Sequence, residues 1–356
     1  MDGAEAPFLA WQVVNKDHFT ADTWSVTMEP WQVPAPFAES FGIQYWDSAP
    51  TNTTVEVLIG LLDNLANVAS DPPDPQSLVL GQVDDVDVDP LTGHLTLTGR
   101  DLSAILIETK ISNKWPTRVS SDIVTELAQD AGLTPQVTPT TTPAGKYYDS
   151  QYVSLVRTIP AWDLIVFLAQ NEGFAAYVTG QTLYFGPPPA ESVGLSINVS
   201  RASTGLITSN AKRLKLSRSL TLGKDISVTV ISYDPWAAKA VKAIATRAGR
   251  YPAASSAARS AETTQSYVYR KPGLTQQQAQ QFANNLLQEI TRFERLMDLE
   301  IEGSPTFGVT QQVQLSGTGT SWDGLYFPQR ITRSFSFKGG FSMRVEAKNH
   351  PTLTQD

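Results

Sequence analysis

The sequence contains no cysteine, which excludes disulfides, thiol chemistry and any Cys-ligated metal. Histidine is almost as scarce. His18, His94 and His350 are the three present, and none sits in a metal-ligand spacing such as His-Glu-x-x-His. Charged residues make up 17% of the chain, below the usual quarter or so of a soluble domain, which suggests a surface largely covered by partners. No apolar run is long enough to cross a bilayer, because the most apolar stretches are broken at Asp63 and at Asn171-Glu172. The N-terminal Met-Asp-Gly-Ala-Glu-Ala-Pro is acidic and lacks the basic-then-apolar layout of a signal peptide. A net charge of −8 argues against a dedicated nucleic-acid binder.

What is present is the composition of a folded, strand-rich protein. At 356 residues, 41% of them hydrophobic, the chain suggests two to four domains. Twenty-three prolines and twenty-three glycines, among many Thr, Ser and Val, point to short strands and turns. In the region Phe8 to Arg100, Trp24, Val26 and Met28 alternate with polar residues, and Val55, Val57 and Ile59 share one parity. A loop from Pro90 to Gly93 would pair Val88 with Leu95 and Val86 with Leu97, with Pro90 at the first corner of a type I turn. Val83 falls out of phase with Val86, which predicts a bulge near Asp84-Asp85. Near the C-terminus, Phe335, Phe337, Phe341, Met343 and Val345 all lie at odd positions around Lys338-Gly339-Gly340. A two-residue loop would split this apolar set between two faces. A three-residue loop with Gly340 left-handed would pair Phe337 with Phe341 and Phe335 with Met343, leaving Thr332, Ser336, Ser342 and Glu346 on the other face.

The middle of the chain changes character. Asp122-Ile-Val-Thr-Glu-Leu-Ala-Gln-Asp-Ala-Gly132 matches Asp163-Leu-Ile-Val-Phe-Leu-Ala-Gln-Asn-Glu-Gly173. Each copy starts on an acid that offsets a helix dipole and ends on a Gly suited to a left-handed cap. Gly180-Gln181 separates two strand-like segments after the second copy, and the Thr- and Pro-rich stretch Thr134 to Gly145 reads as an exposed loop. Strand patterns resume at Leu206 to Ser209, Leu214 to Leu220 and Ile226 to Ile231. From Trp236 to Lys271 basic residues accumulate, including Lys239, Lys242, Arg247 and Arg250, opposed only by Glu262. By propensity Ala237 to Thr246 could be helical, and Pro252 to Thr264 reads as a mobile loop. A capping box at Thr275 and Gln278 then opens a helix whose stripe runs Ala279, Ala283, Leu286, Ile290, Phe293, Met297. Such a stripe can be a coiled-coil seam or a core-facing surface. Packing within the chain's own fold is the simpler reading.

Catalytic and metal signatures are few. No Gly-x-Ser-x-Gly elbow occurs, and Gly317-Thr-Gly319 lacks the rest of a phosphate loop. Asp84, Asp85, Asp87 and Asp89 invite a calcium reading, but interleaved valines make Asp85, Asp87 and Asp89 the polar face of a strand. No pair of carboxylates is marked out as glycosidase-like. The basic cluster Lys239, Lys242, Arg247 and Arg250 could touch DNA, but the acidic net charge favours a docking surface for acidic neighbours. No cofactor is expected.

The order helix, Gly303-Ser-Pro305, Gly308, short strand, Trp322-Asp323-Gly324-Leu-Tyr326 and a hairpin closing on Gly340-Phe341 resembles the C-terminus of the bacteriophage late control gene D family. These are baseplate hub proteins of contractile tails, related to type VI secretion spikes. The run Gly81, acidic strand, turn, Leu95-Thr-Leu97-Thr-Gly99-Arg100-Asp101 is similar to the end of the first hub barrel. The resemblance implies a mainly β fold with α/β insertions. Two similar antiparallel tube-type barrels would occupy 1–103 and 189–235 plus 298–356, with an α/β insertion at 104–188 and a basic strand or hairpin arm plus helix at 236–297. It further implies a homotrimer whose six barrels form a pseudo-sixfold ring, joining the sixfold tail tube, or a tube-initiator protein, to a threefold central spike. The tape-measure protein and baseplate wedge would be further partners. DNA or effectors would transit without specific binding, in a particle assembled in the bacterial host cytoplasm. No needle-forming β-helix follows the second barrel pattern and no lysozyme-like segment is fused. The alternative from a different class is a tail-associated cell-wall hydrolase.

Overall fold

The computed structural model describes residues 8–29, 46, 53–59, 75–112, 115, 118–141, 144, 158–189, 192–219, 225–234, 238–247, 265–291 and 294–349. The first segment holds β1 (Ala10–Lys16), β2 (Thr23–Met28), β3 (Thr54–Ile59), β4 (Gln76–Asp89) and β5 (His94–Asp101). An α/β segment follows: α1 (Ser103–Glu108), β6 (Lys110–Ile111), α2 (Ser120–Asp130), β7 (Thr134–Val137), β8 (Ile159–Pro160), α3 (Ala161–Glu172), β9 (Ala175–Thr179) and β10 (Thr182–Gly186). Next come β11 (Ser192–Arg201), β12 (Ile207–Ser209), β13 (Arg213–Arg218), β14 (Ile226–Asp234), β15 (Lys239–Arg247), β16 (Gln265–Arg270) and α4 (Gln276–Thr291). The chain closes with β17 (Arg295–Glu302), β18 (Gln311–Ser316), β19 (Gly324–Ser336) and β20 (Gly340–Asn349).

Among the described residues, twelve strands form one sheet in the order β12-β11-β18-β19-β1-β2-β5-β4-β3, with β20 beside β19, β17 beside β20 and β13 beside β17. The expected mainly β architecture is present, and no ring of pairing closes among these residues. The cause is the length of β19. Its start pairs with β18, from Gly324 to Tyr326. Its end pairs with β1, from Arg330 to Ser336, and its other edge is taken by β20. One strand thus serves both halves, and each half keeps its own apolar cluster. Trp11, Val13, Trp24, Leu95 and Leu97 centre the first. Met297, Leu299, Val313, Leu315, Tyr326, Ile331 and Val345 centre the second.

Two further cores stand apart. The α/β unit packs α2 and α3 around Ile123, Leu127, Leu164, Ile165 and Leu168. The repeated Asp and Gly residues do what the pattern required: Asp122 and Asp163 lie in first helical turns, and Gly132 and Gly173 are left-handed at φ 73° and 71°. Thr134 to Val137 is not loop but strand, running parallel to β10. The amide of Ser121 donates to Thr140 Oγ1 at 3.0 Å, which fastens the segment beyond it. The last core joins α4 to a small sheet in the order β15-β14-β16. In that sheet β14 pairs with β15 on one edge and with β16 on the other. Residues 239–247 are strand, as the hairpin-arm reading held and helix propensity did not. Val241, Ala243 and Ala245 alternate inward onto α4, so the strand has an apolar face that its basic residues had obscured. The α4 stripe packs on its own chain through Ala279, Ala283, Leu286 and Leu287. The helix ends at Thr291 and Met297 belongs to β17, while Phe293 lies outside the described residues.

Register is the best test of the sequence pattern. The β4–β5 hairpin pairs Val86 with Leu97 and Val88 with Leu95, and its register shifts between Val83 and Asp85, both as expected. In the last hairpin Gly340 is left-handed, at φ 67°, but the pairing is Phe335 with Phe341 and Arg333 with Met343. The register is displaced by two from the expected one, and a two-residue slip leaves every side chain on its own face. The apolar alternation therefore could not distinguish them. Turn chemistry did: Phe337 leaves the ladder and stacks on Phe8 with centroids 6.4 Å apart, and the Gly339 amide donates to Ser336 Oγ at 3.0 Å. Gly340→Val is expected to lower the melting temperature more than Gly339→Val, because a side chain in the left-handed region costs on the order of 1–2 kcal/mol. Equal shifts for the two variants in parallel thermal melts would contradict this turn.

Candidate interaction surfaces

The continuous register lays out two faces across the large sheet. On the core side one row reads Val86, Leu97, Val26, Trp11, Phe335, Phe341. On the outer side the adjacent rows are almost wholly small and polar. One runs Asp85, Thr98, Ser25, Gln12, Ser334, Ser342, Glu302, and the next Asp87, Thr96, Thr27, Ala10, Ser336. Hydroxyls bond to each other along it, Thr27 to Thr96 at 3.3 Å and Ser334 to Ser342 at 3.1 Å. Arginines on this face are matched by carboxylates. Arg100 bonds Asp84 at 2.6 and 2.8 Å and Glu108 at 2.6 Å. Arg344 bonds Asp298 at 2.7 and 2.8 Å, which holds the Asp298 carboxyl below its ordinary value. The outcome is a smooth hydroxyl-lined surface with compensated cations and surplus acid at Asp85 and Asp87.

The sequence-predicted basic residues separate. Lys239 and Lys242 are exposed on β15. Arg247, from the same strand, bonds the wholly buried Glu294 at 3.0 Å, and Arg218 reaches the same carboxylate at 3.3 Å. Arg247 thus joins the small sheet to the β13–β17 edge of the large one, and its side chain is structural. Arg250 lies outside the described residues. Among the described residues no group of His, Asp and Glu is arranged to hold a metal ion, and no helix is long and apolar enough to cross a membrane.

No family model matches the sequence, and no curated protein matches it. Solved structures do. The chain is similar to a tail protein from Neisseria meningitidis MC58, with 14% identity and a TM-score of 0.66 over 96% of this chain and 92% of that one. A tail protein of prophage MuSo2 from Shewanella oneidensis matches with 12% identity and a TM-score of 0.59 over 96% and 92%. A type VI secretion component from E. coli matches with 8% identity and a TM-score of 0.50 over 99% and 78%. At such identities the likeness is one of fold. The chain has the fold of phage tail proteins.

Inside this tail-protein fold lies a buried polar cluster that sequence reading missed. Asp22 accepts from Asn15 Nδ2 at 2.7 Å and from the Lys16 amide at 2.8 Å. Its own amide donates to Asp101 Oδ2 at 3.0 Å. Arg333 points into the same core from β19 and donates to Asn15 Oδ1 at 2.5 Å, to the Ser304 carbonyl at 2.9 Å and to the Phe307 carbonyl. Burial, with Asp101 alongside, pushes the Asp22 carboxyl up to about 7. Burial also raises Asp101 and lowers Arg333 to about 10. Arg333 shares the odd parity of the apolar set around it, but sequence reading did not single it out and nothing in the sequence names its partners.

These contacts generate three predictions. Lys242→Glu is expected to leave the melting temperature near wild type, as exposed charges contribute about 0–1 kcal/mol. Arg247→Ala leaves a buried carboxylate short of a donor and is expected to cost about 1–3 kcal/mol, read as a drop in the urea midpoint. Asp22 titrates higher in the folded state than its ordinary 3.8. Its contribution is full below that value and lost as pH rises toward about 7. Asp22→Asn is therefore expected to gain stability relative to wild type between those two pH values. A difference independent of pH would show that Asp22 ionises freely in the fold.

Proposed function

We propose that the chain is a structural baseplate hub subunit of a phage tail or phage-like injection machine, located in the tail of the particle and joining the tail tube to a central spike. The fold likeness supports a tail-structural role. The observation that carries the hub reading is the outer face of the large sheet, hydroxyl-lined and with its arginines paired to carboxylates. A polyanion sliding past such a face meets neither a cationic trap nor an apolar patch. The same face would let effectors pass. In this reading the two half-sheets are open barrel units, and the edges at β3, β12 and β13 are completed by neighbours, as exposed edges demand. Three copies would then present six such units, which reconciles a sixfold tube with a threefold spike. The tube or a tube-initiator protein, the spike, the tape-measure protein and the baseplate wedge are the partners this reading assigns.

A wall-hydrolase reading finds no support in the geometry of Asp22 and Asp101, the carboxylates with raised pKa that lie together. They are enclosed by Asn15, Ser103 and Arg333, where a cell-wall polymer could not reach them. The decisive measurement is a reconstruction of the assembled particle. Three copies around the axis where tube meets spike are expected. Six copies, a single copy, or a position away from the axis would overturn the hub reading.

A further inference from the structure

Among the described residues the small sheet has one covered face and one bare one. Val228, Val230, Val241, Ala243 and Ala245 pack on α4. The opposite face is set by the same registers. One row is Ile244, Thr229, Val268 and the next Lys242, Ile231, Arg270. Its apolar members are well exposed, Ile244 at 47%, Val268 at 59% and Tyr233, further along β14, at 52%. Neither Lys242 nor Arg270 has an acidic partner among the described residues. A β-sheet face that alternates aliphatic, aromatic and cationic side chains has the makeup of a contact surface for something both apolar and acidic.

The chain itself offers that complement elsewhere. The β4–β5 hairpin ends in an arm with Asp85 and Asp87 exposed on one side of the strand. Val88 is 37% exposed and Leu91, at the tip, is 95% exposed. Asp84 is already bound by Arg100, and Asp89 caps the turn by accepting from the Leu91 amide at 2.9 Å. Asp85 and Asp87 are left as the available charges. The position of the two surfaces matters as much as their chemistry. β4 lies next to the last strand at one end of the large sheet. The small sheet is tied by Arg247 and Glu294 to the β13–β17 edge, on the far side. The two surfaces do not pair with each other within one copy, so a second copy is the occupant that supplies the complement.

We propose that the acidic β4–β5 arm of one copy docks on the basic, apolar face of the β15-β14-β16 sheet of the next, a head-to-tail contact between copies of this chain. Asp85 and Asp87 face Lys242 and Arg270, and Leu91 at the tip covers Ile244 and Val268. Such a heterologous contact closes a ring when its rotation allows. The proposal rests on the hub reading only for the ring being a trimer; the contact itself rests on the complementary surfaces.

The absence of cysteine makes the test clean. Full-length protein carrying both Asp87→Cys and Lys242→Cys is oxidised and run on a denaturing gel, beside each single variant and wild type. The double variant is expected to give disulfide-linked oligomers that the single variants do not. In parallel, Asp85→Lys with Asp87→Lys, and Lys242→Glu with Arg270→Glu, should each weaken self-association in sedimentation at least about tenfold, while all four changes in one chain restore it. No cross-link in the double variant, cross-links as strong in a single variant, or no rescue by the fourfold exchange would overturn the contact. The reconstruction of the particle can still find three copies on the axis in that event, so the two readings fail separately.

Discussion

The large sheet depends on one strand being long enough to belong to two halves. β19 pairs with β18 at its start and with β1 at its end, and Arg333 sits in the second of these stretches. Its guanidinium donates to carbonyls of the 304–307 turn and to Asn15 of β1. A buried guanidinium is tolerated only with its donors satisfied, so turn, strand and first half-sheet are held in one arrangement. Asn15 passes the constraint to Asp22, and Asp22 passes it to Asp101 at the entrance to α1. A change in any one of these groups is felt by three elements.

The α/β unit is fastened to the same corner. The β1–β2 connection places Phe19 at φ 80°, unusual for a residue with a side chain. Its amide donates to the Ala176 carbonyl at 3.0 Å, and its carbonyl accepts from Trp162 Nε1 at 3.1 Å. Strain of this kind persists when surroundings over-determine it, and here two bonds and the packed ring do so. Beside it His18 stacks on Tyr177 and Tyr177 on Tyr184. On the other side of the α/β unit, Lys271 lies over the rings of Phe167 and Phe282 and bonds Asn171, linking α3 to α4. Burial lowers this amine to about 8. The three packed bodies are thus joined through polar groups desolvated at their seams, brought together by the fold and not by sequence proximity.

This arrangement explains why the outer face can be so plain. Charges that a fold of this size needs for its own joints are spent at the seams, as with Glu294 between Arg218 and Arg247. Those on the open face are matched locally, as with Arg344 and Asp298. What remains across the strands is Ser, Thr and Gln, short side chains that pack a flat polar sheet surface without attracting a partner strongly.

Alternation in the sequence determined which residues face the core, because a strand has a period of two and each apolar set had one parity. It also determined the β4–β5 register, since only a loop from Pro90 to Gly93 aligned Val86 with Leu97. The helices at Asp122 and Asp163 were legible from their acids, stripes and glycines. Tertiary structure decided what periodicity cannot carry. A slip of two residues at Gly340 preserves every face, so local turn bonds settled it. Arg247 read as one of a basic cluster, but Glu294 lies 47 residues away and the fold alone brings them together. The Asp22, Asp101 and Arg333 cluster was invisible for the same reason: desolvation and partners separated by hundreds of positions are properties of the packed chain, and no spacing in the sequence records them.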